Sequence, residues 1–245
     1  MTLSAQRPPP GPSRALVWRM FDRIAPRYDL LNHLLSAGQD WRWRRRAADC
    51  VRAANPAVVL DLATGTGDQL LALARRCPAA RHLLGVDLAP QMLVRAVPKL
   101  ARAGLARCAL VAQADALRLP LADATVDALT ISFGIRNLSD LAGGLAEMRR
   151  VLRPGGSAVI LEFSLPPGRV VRAGYLLYCR HVLPRVGAWI SGDAHAYRYL
   201  NETVETFPSG AAFVALLAAA GFVRARAEPL TCGIVTLYQA EAPPA

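Results

Sequence analysis

The apolar positions of this chain change period along its length. Between residues 14 and 52, Phe21, Ile24, Tyr28, Leu31, Leu34 and Leu35 recur at roughly helical spacing, broken at Pro26 and Gly38. That pattern predicts a helical amino-terminal cap. From residue 58, short apolar runs alternate with amphipathic stretches. Val58–Leu62, His82–Asp87, Cys108–Gln113, Val126–Ser132 and Ser157–Phe163 read as strands, with helices at Asp68–Arg76, Pro90–Arg102 and Leu141–Leu152. The alternation predicts an α/β fold with a doubly wound, mostly parallel sheet. The rhythm stops at residues 165–208, where Tyr175, Tyr178, Trp189, Tyr197, Tyr199 and Phe207 cluster among helix-like pieces broken by Pro184 and Gly187. It resumes with a helix at 209–220. Two β-rich segments follow, Phe222–Glu228 and Gly233–Gln239, predicted to lie antiparallel to each other. Residues 14–245 therefore read as one seven-stranded domain with an insertion after strand five, and the proline-rich residues 1–13 as a disordered tail.

Strand one runs into a turn, Asp61-Leu62-Ala63-Thr64-Gly65-Thr66-Gly67-Asp68. Two glycines one residue apart allow positive φ and a close approach of backbone to ligand. The turn falls at the carboxyl end of its strand, where open α/β sheets bind ligands. A dinucleotide fingerprint needs a third glycine where this chain has Leu70, and a phosphate loop needs a lysine that the turn lacks. Asp61, Asp68 and Asp87 leave an acidic rim instead, suited to a ligand with a positive centre and free hydroxyls. Asp87, at the end of strand two, is placed to accept hydrogen bonds from a ribose diol.

Composition narrows the class. The chain has 245 residues, 53% of them hydrophobic, enough for a substantial core. Its net charge is +11, and Lys99 is its sole lysine. Such a surface permits an anionic membrane or a nucleic acid as partner and selects neither. Five widely spaced cysteines with no CxxC pair give no support for a metal site and fit reduced cytosolic thiols. No apolar run of signal-peptide or spanning length is visible, which predicts a cytoplasmic chain. Trp41 and Trp43, beside Arg42 and Arg44 to Arg46, fit either a solvated helix face or an interfacial element.

The glycine turn, with Asp87 and Asp115 at the ends of strands two and three, resembles the class I S-adenosylmethionine-dependent methyltransferases, whose sheet is Rossmann-like. The resemblance implies that Asp61, Gly65, Thr66 and Gly67 pass the cofactor's amino-acid and ribose portion and that Asp87 holds the ribose. It implies that Asp115 and Ala116 contact the adenine, and that Ser132 lies beside the cofactor. Five further segments are similar to one branch, the ubiquinone/menaquinone biosynthesis C-methyltransferases: Phe21–Asp29, Ile131–Asn137, Val151–Gly156, Leu161–Ser164 and Tyr197–Leu200. Asp115 departs from that pattern, standing where many members carry asparagine, and either side chain can accept from the adenine amino group.

The branch implies methyl transfer to a ring carbon of demethylmenaquinol, with ubiquinone precursors as a second acceptor. Ionising a ring hydroxyl makes that carbon nucleophilic, so the site must favour a phenolate. Arg136 is too basic to serve readily as a base and is assigned electrostatic stabilisation or positioning, with Asn137 as hydrogen-bonding partner and Tyr28 lining the pocket. Residues 165–208 read as a substrate lid. The prenylated acceptor implies peripheral contact with an anionic membrane at its inner face, and a homodimer stays open. Read without the resemblance, Arg136 pairs with Asp140; Asn137, Ser139 or Asp140 caps the following helix; and Tyr28 is a core aromatic. Glu162 reads as a buried, hydrogen-bonded acid. A methyltransferase for another lipophilic molecule, an RNA methyltransferase and a non-catalytic cofactor-binding protein are the competing functions. Dispersed arginines and the lack of an RNA-binding motif weigh against nucleic acid.

Overall fold

The computed structural model describes residues 14–185 and 194–245. The proposed tail at 1–13, and Gly187 and Trp189 of the insertion, lie outside the described residues. Three helices open the chain, α1 (Arg14–Ile24), α2 (Tyr28–Leu35) and α3 (Gln39–Ala53). Pro26 sits in a single 3-10 turn between the first two. Gly38 separates the next pair in the left-handed conformation, at φ 71°.

The α/β part follows as β1 (Val58–Leu62), α4 (Asp68–Arg76), β2 (His82–Asp87), α5 (Pro90–Arg102), β3 (Ala109–Gln113), β4 (Val126–Ser132), α6 (Leu141–Val151) and β5 (Leu152–Phe163). The insertion carries α7 (Arg169–Leu177), which continues through a π turn to Val182, and α8 (Ala194–Thr206). Helix α9 (Ala211–Ala219), β6 (Val223–Leu230) and β7 (Val235–Glu241) complete the chain.

The sheet has seven strands in the order β3-β2-β1-β4-β5-β7-β6. Strands β1 to β5 run parallel to one another, and β7 runs antiparallel between β5 and β6. The chain winds outward from β1 to β3, then starts again at β4 on the other side. The switch point between β1 and β4 is where doubly wound sheets bind their ligands.

Strand alternation sorts the core into two layers. Val59, Leu83, Ala128 and Val159 face Ala47, Leu70, Leu73 and Ala96 of α3, α4 and α5. Leu60, Leu62, Leu129 and Ile160 face Leu145, Met148, Phe213 and Leu217 of α6 and α9. A third, smaller cluster joins Met20, Ile24 and Leu31 of the amino-terminal helices to Leu183, Tyr178 and Tyr199 of the insertion. Cap and insertion thus pack on each other, over the carboxyl ends of the strands.

One boundary differs from the sequence expectation. Arg153-Pro154-Gly155-Gly156 does not precede β5 but bulges within it: Leu152 pairs with Val126, and pairing resumes only at Ser157 with Ala128. Gly155, at φ 74°, turns the bulge outward, and its amide donates to the carbonyls of Ala242 and Pro243. Arg153 pairs with Asp127.

Candidate active site

Two cavities meet at the switch point. The smaller, about 110 Å³, is lined by Gly65, Asp87, Asp115, Ala116, Ser132 and Asn137, among others. The larger, about 370 Å³, is mostly apolar and is walled by Ile24, Leu31, Phe133, Arg136, Phe163 and Tyr175, among others. Phe21, Tyr28 and Phe133 line both and form the partition between them.

The smaller cavity is shaped by backbone first. Gly65 has φ 58°, and its amide donates to Asp87 Oδ2 at 2.8 Å. The Ala89 amide donates to Asp87 Oδ1 at 2.8 Å. Burial pushes the Asp87 carboxyl pKa up, against the pull of the amides of Ala89, Gly65 and Leu88. Each carboxylate oxygen keeps further acceptor capacity for a vicinal diol. The Asp115 Oδ1 accepts from the Leu117 amide at 3.1 Å, which fixes its carboxylate at the edge of the cavity. Ser132 Oγ is buried without a hydrogen-bond partner, a polar atom that a ligand in the cavity can satisfy. A ribose diol at Asp87, an amino group at Asp115 and a donor or acceptor at Ser132 fit S-adenosylmethionine, so these residues suit the cofactor that the resemblance implies.

The expected acidic rim is not built as read. Asp61 is 1% exposed and lies beneath the turn, accepting from Thr64 Oγ1 at 2.7 Å and Thr130 Oγ1 at 2.6 Å. Burial pushes its pKa up to about 6. Asp68 pairs with Lys99 instead of facing the cavity. Thr66 is buried and donates to Asp29 Oδ1 at 2.5 Å. Gly67, at φ 87°, starts α4 and backs onto Ala96 and Leu100. Asp61, Thr66 and Gly67 thus support the turn from behind, while Gly65, Asp87, Asp115, Ala116 and Ser132 line the cavity.

A 3-10 turn at Ile135–Asn137 splits two neighbouring side chains between the cavities: Arg136 lines the larger and Asn137 the smaller. Arg136 Nη1 contacts Glu162 Oε1 at 2.6 Å and donates to the Phe133 carbonyl at 2.7 Å. Both partners of this ion pair are buried, with side chains 6% and 0% exposed. The pairing with Asp140 read from sequence does not form. Asp140 caps α6, accepting from the Gly143 amide at 3.0 Å. Asn137 does not cap that helix; its Oδ1 accepts from Tyr199 Oη at 3.0 Å, tying the insertion to the site. Burial pushes the Tyr199 pKa up to about 12, with Arg136 opposing. Burial also raises Tyr28, and the Arg44 and Arg136 guanidiniums pull it back.

Sequence reasoning missed Glu162 as the partner of Arg136, Tyr199 as the partner of Asn137, and Arg44 as a wall of the larger cavity. For Arg44 a signal existed: it shares one face of α3 with Ala47, Ala48 and Val51, three, four and seven residues on, all buried.

A family model described as the ubiE/COQ5 methyltransferase family matches residues 11–241. A demethylmenaquinone methyltransferase of Thermus thermophilus is 50% identical over 224 residues, covering 91% of this chain and 100% of the relative. A ubiquinone/menaquinone biosynthesis C-methyltransferase, UbiE, of Syntrophotalea carbinolica is 50% identical over 219 residues, covering 89% of this chain and 91% of the relative. Among solved structures, a SAM-dependent methyltransferase of Thermotoga maritima, described as a possible histamine N-methyltransferase, superposes with a TM-score of 0.63 at 18% identity. That match covers 92% of this chain and 99% of the other, and at such identity it speaks for the fold alone. Through a match that runs from the cap to the last strand, the chain belongs to the ubiE/COQ5 methyltransferase family.

Proposed function

We propose that this enzyme methylates a ring carbon of demethylmenaquinol, with S-adenosylmethionine as donor. The observation that carries the reading is the shared partition of Phe21, Tyr28 and Phe133, which sets an apolar, ring-sized cavity against one fitted to the cofactor. Bound in the smaller cavity, the cofactor supplies an electrophilic sulfonium methyl. Asp87 takes its ribose hydroxyls, the Gly65 backbone passes its amino-acid portion, and Asp115 with Ala116 holds the adenine. Asp61, Thr66 and Gly67 keep the turn in shape from behind. On the acceptor side, Arg136 positions the quinol ring, Asn137 acts from the cofactor side by holding Tyr199, Tyr28 packs at the partition, and the apolar walls exclude water. Holding donor and acceptor in line supplies much of the rate, since the sulfonium is intrinsically reactive. The ring carbon gains the methyl and then loses its proton to solvent, restoring the aromatic ring.

The prenyl tail of such an acceptor lies in a lipid bilayer. No helix among the described residues is long and apolar enough to cross a membrane. Helices α2 and α7 wall the larger cavity and also expose Leu30, Leu34, Val170 and Leu177. With the basic surface, this supports peripheral contact with an anionic membrane, and residues 165–208 acting as the lid over the acceptor. The test is incubation with labelled S-adenosylmethionine and demethylmenaquinone under reducing conditions, with ubiquinone precursors and a sterol as comparison acceptors. Labelled menaquinone is the expected product, and its absence would overturn the reading.

A further inference from the structure

The larger cavity holds two arginines, and among the described residues only Arg136 has a salt bridge. Arg136 is neutralised by Glu162. Arg44, on α3, lines the same cavity and is 6% exposed. Among the described residues its guanidinium has no hydrogen bond and no salt bridge, and its Nε is buried without a partner. Asp40, four residues before it on α3, lines the same cavity but is engaged with His33 Nδ1 at 2.6 Å and Ser36 Oγ at 2.9 Å. The buried Asp61 and Tyr28 feel the charge of Arg44 without forming a salt bridge or hydrogen bond with it. What Arg44 does have is a ring: its guanidinium carbon lies 5.3 Å from the centroid of Phe133. Phe133 stands against Phe163, with centroids 4.6 Å apart, and Arg136 lies 5.4 Å from the Phe163 ring. Both cations therefore flank one aromatic wall, and Arg44 is the one against the ring of the partition.

A guanidinium withdrawn from water is costly unless an anion meets it. We infer that Arg44, the arginine of the cavity without a salt bridge, binds the ionised ring oxygen of the acceptor, while Arg136, locked to Glu162, positions the ring. The step is an ionisation: the ring O–H bond breaks, its proton passes to solvent, and the charge left on oxygen is met by Arg44. This rests on the reading of the acceptor as a quinol.

Two probes separate charge from shape. The first is 2-hydroxy-1,4-naphthoquinone, an anion near neutral pH, and the second is neutral 2-methyl-1,4-naphthoquinone. The unaltered protein should bind the anion about tenfold more tightly than the neutral ring. Arg44→Gln should abolish that preference while leaving the neutral probe and S-adenosylmethionine bound as before, and Arg44→Lys should retain most of it. In turnover, the acid limb of the kcat profile should move up by about one pH unit in Arg44→Gln. Equal affinity of the unaltered protein for the two probes, or no binding of the anion, overturns the assignment without any variant being needed. So does Arg44→Gln weakening both probes alike. If the preference depends on Arg44 but demethylmenaquinol is never methylated, the anion site stands and the quinol reading falls.

Discussion

Asp61 holds two hydroxyl donors and no salt bridge, with the Arg44 charge acting on it only at longer range. Its carboxyl is raised from 3.8 to about 6 because burial strips water from the charge faster than Thr130 and Thr64 replace it. A folded-state pKa above the unfolded value means that the native state binds the extra proton. Stability from this group is therefore fully present below about pH 4 and is lost as the pH rises through 6. A shift of this size corresponds to roughly 2–3 kcal/mol. Asparagine can fill the same place, its carbonyl accepting from Thr130 and its amide donating to a turned Thr64 hydroxyl. Denaturant unfolding of Asp61→Asn beside the unaltered protein should show the variant gaining that amount, relative to the parent, between pH 4 and 7. Taking the difference cancels the acids whose pKa is lowered, such as Asp127 and Glu147. A difference that stays flat with pH would remove burial as the cause.

At the scale of elements, the cap reaches the glycine turn through one small polar cluster. Asp29 of α2 accepts from Thr66 in the turn and from Lys99 of α5, and Lys99 also pairs with Asp68 of α4. Burial alone would raise the Asp29 pKa, but the hydrogen bonds from Lys99 and Thr66 outweigh it and hold the carboxyl low. Because the side chain is partly exposed, its contribution to global stability is small. Its contribution to placing Tyr28, the adjacent residue, over Gly65 is larger. Asp29→Ala should raise the dissociation constant for S-adenosylmethionine about tenfold, measured by calorimetry, with little change in Tm. An unchanged affinity would mean that the cap does not act through this cluster.

Local features of the chain could be read from its sequence, and distant pairings could not. The strands were legible because each is a short apolar run ending in a turn signal, and β1, β2 and β4 fall where the periodicity put them. Gly65 and Asp87 could be read as neighbours because strands one and two pair in register. What could not be read were pairs that depend on how separate elements meet. Arg136 finds Glu162, 26 residues away across β4 and β5, rather than its sequence neighbour Asp140. The Arg153–Gly156 bulge is fixed by carbonyls at Ala242 and Pro243, near the far end of the chain.

For the whole molecule, the decisive relation is between the open faces of the cover and the cavity beneath it. Val170 is 86% exposed and Leu177 62%, on the helix whose Val171, Gly174 and Tyr175 wall the acceptor cavity. Arg169, Arg172 and Arg180 are exposed along the same segment, within a chain of net charge +11. Apolar side chains that enter a headgroup layer gain from burial, and each basic residue near an anionic surface adds about 1 kcal/mol. Salt screens the second contribution and leaves the first. The protein should therefore co-sediment with phosphatidylglycerol vesicles at low salt, more weakly with neutral vesicles, and progressively less as salt rises. Replacing both Val170 and Leu177 with glutamate should reverse the apolar and electrostatic contributions together. Neither residue lines the cavity, so turnover of a short-tailed, water-soluble acceptor should survive while turnover of a vesicle-embedded one falls at least about tenfold. Equal losses on both acceptors would place the effect in the active site, and equal sedimentation of the two proteins would remove α7 as the face that meets the membrane.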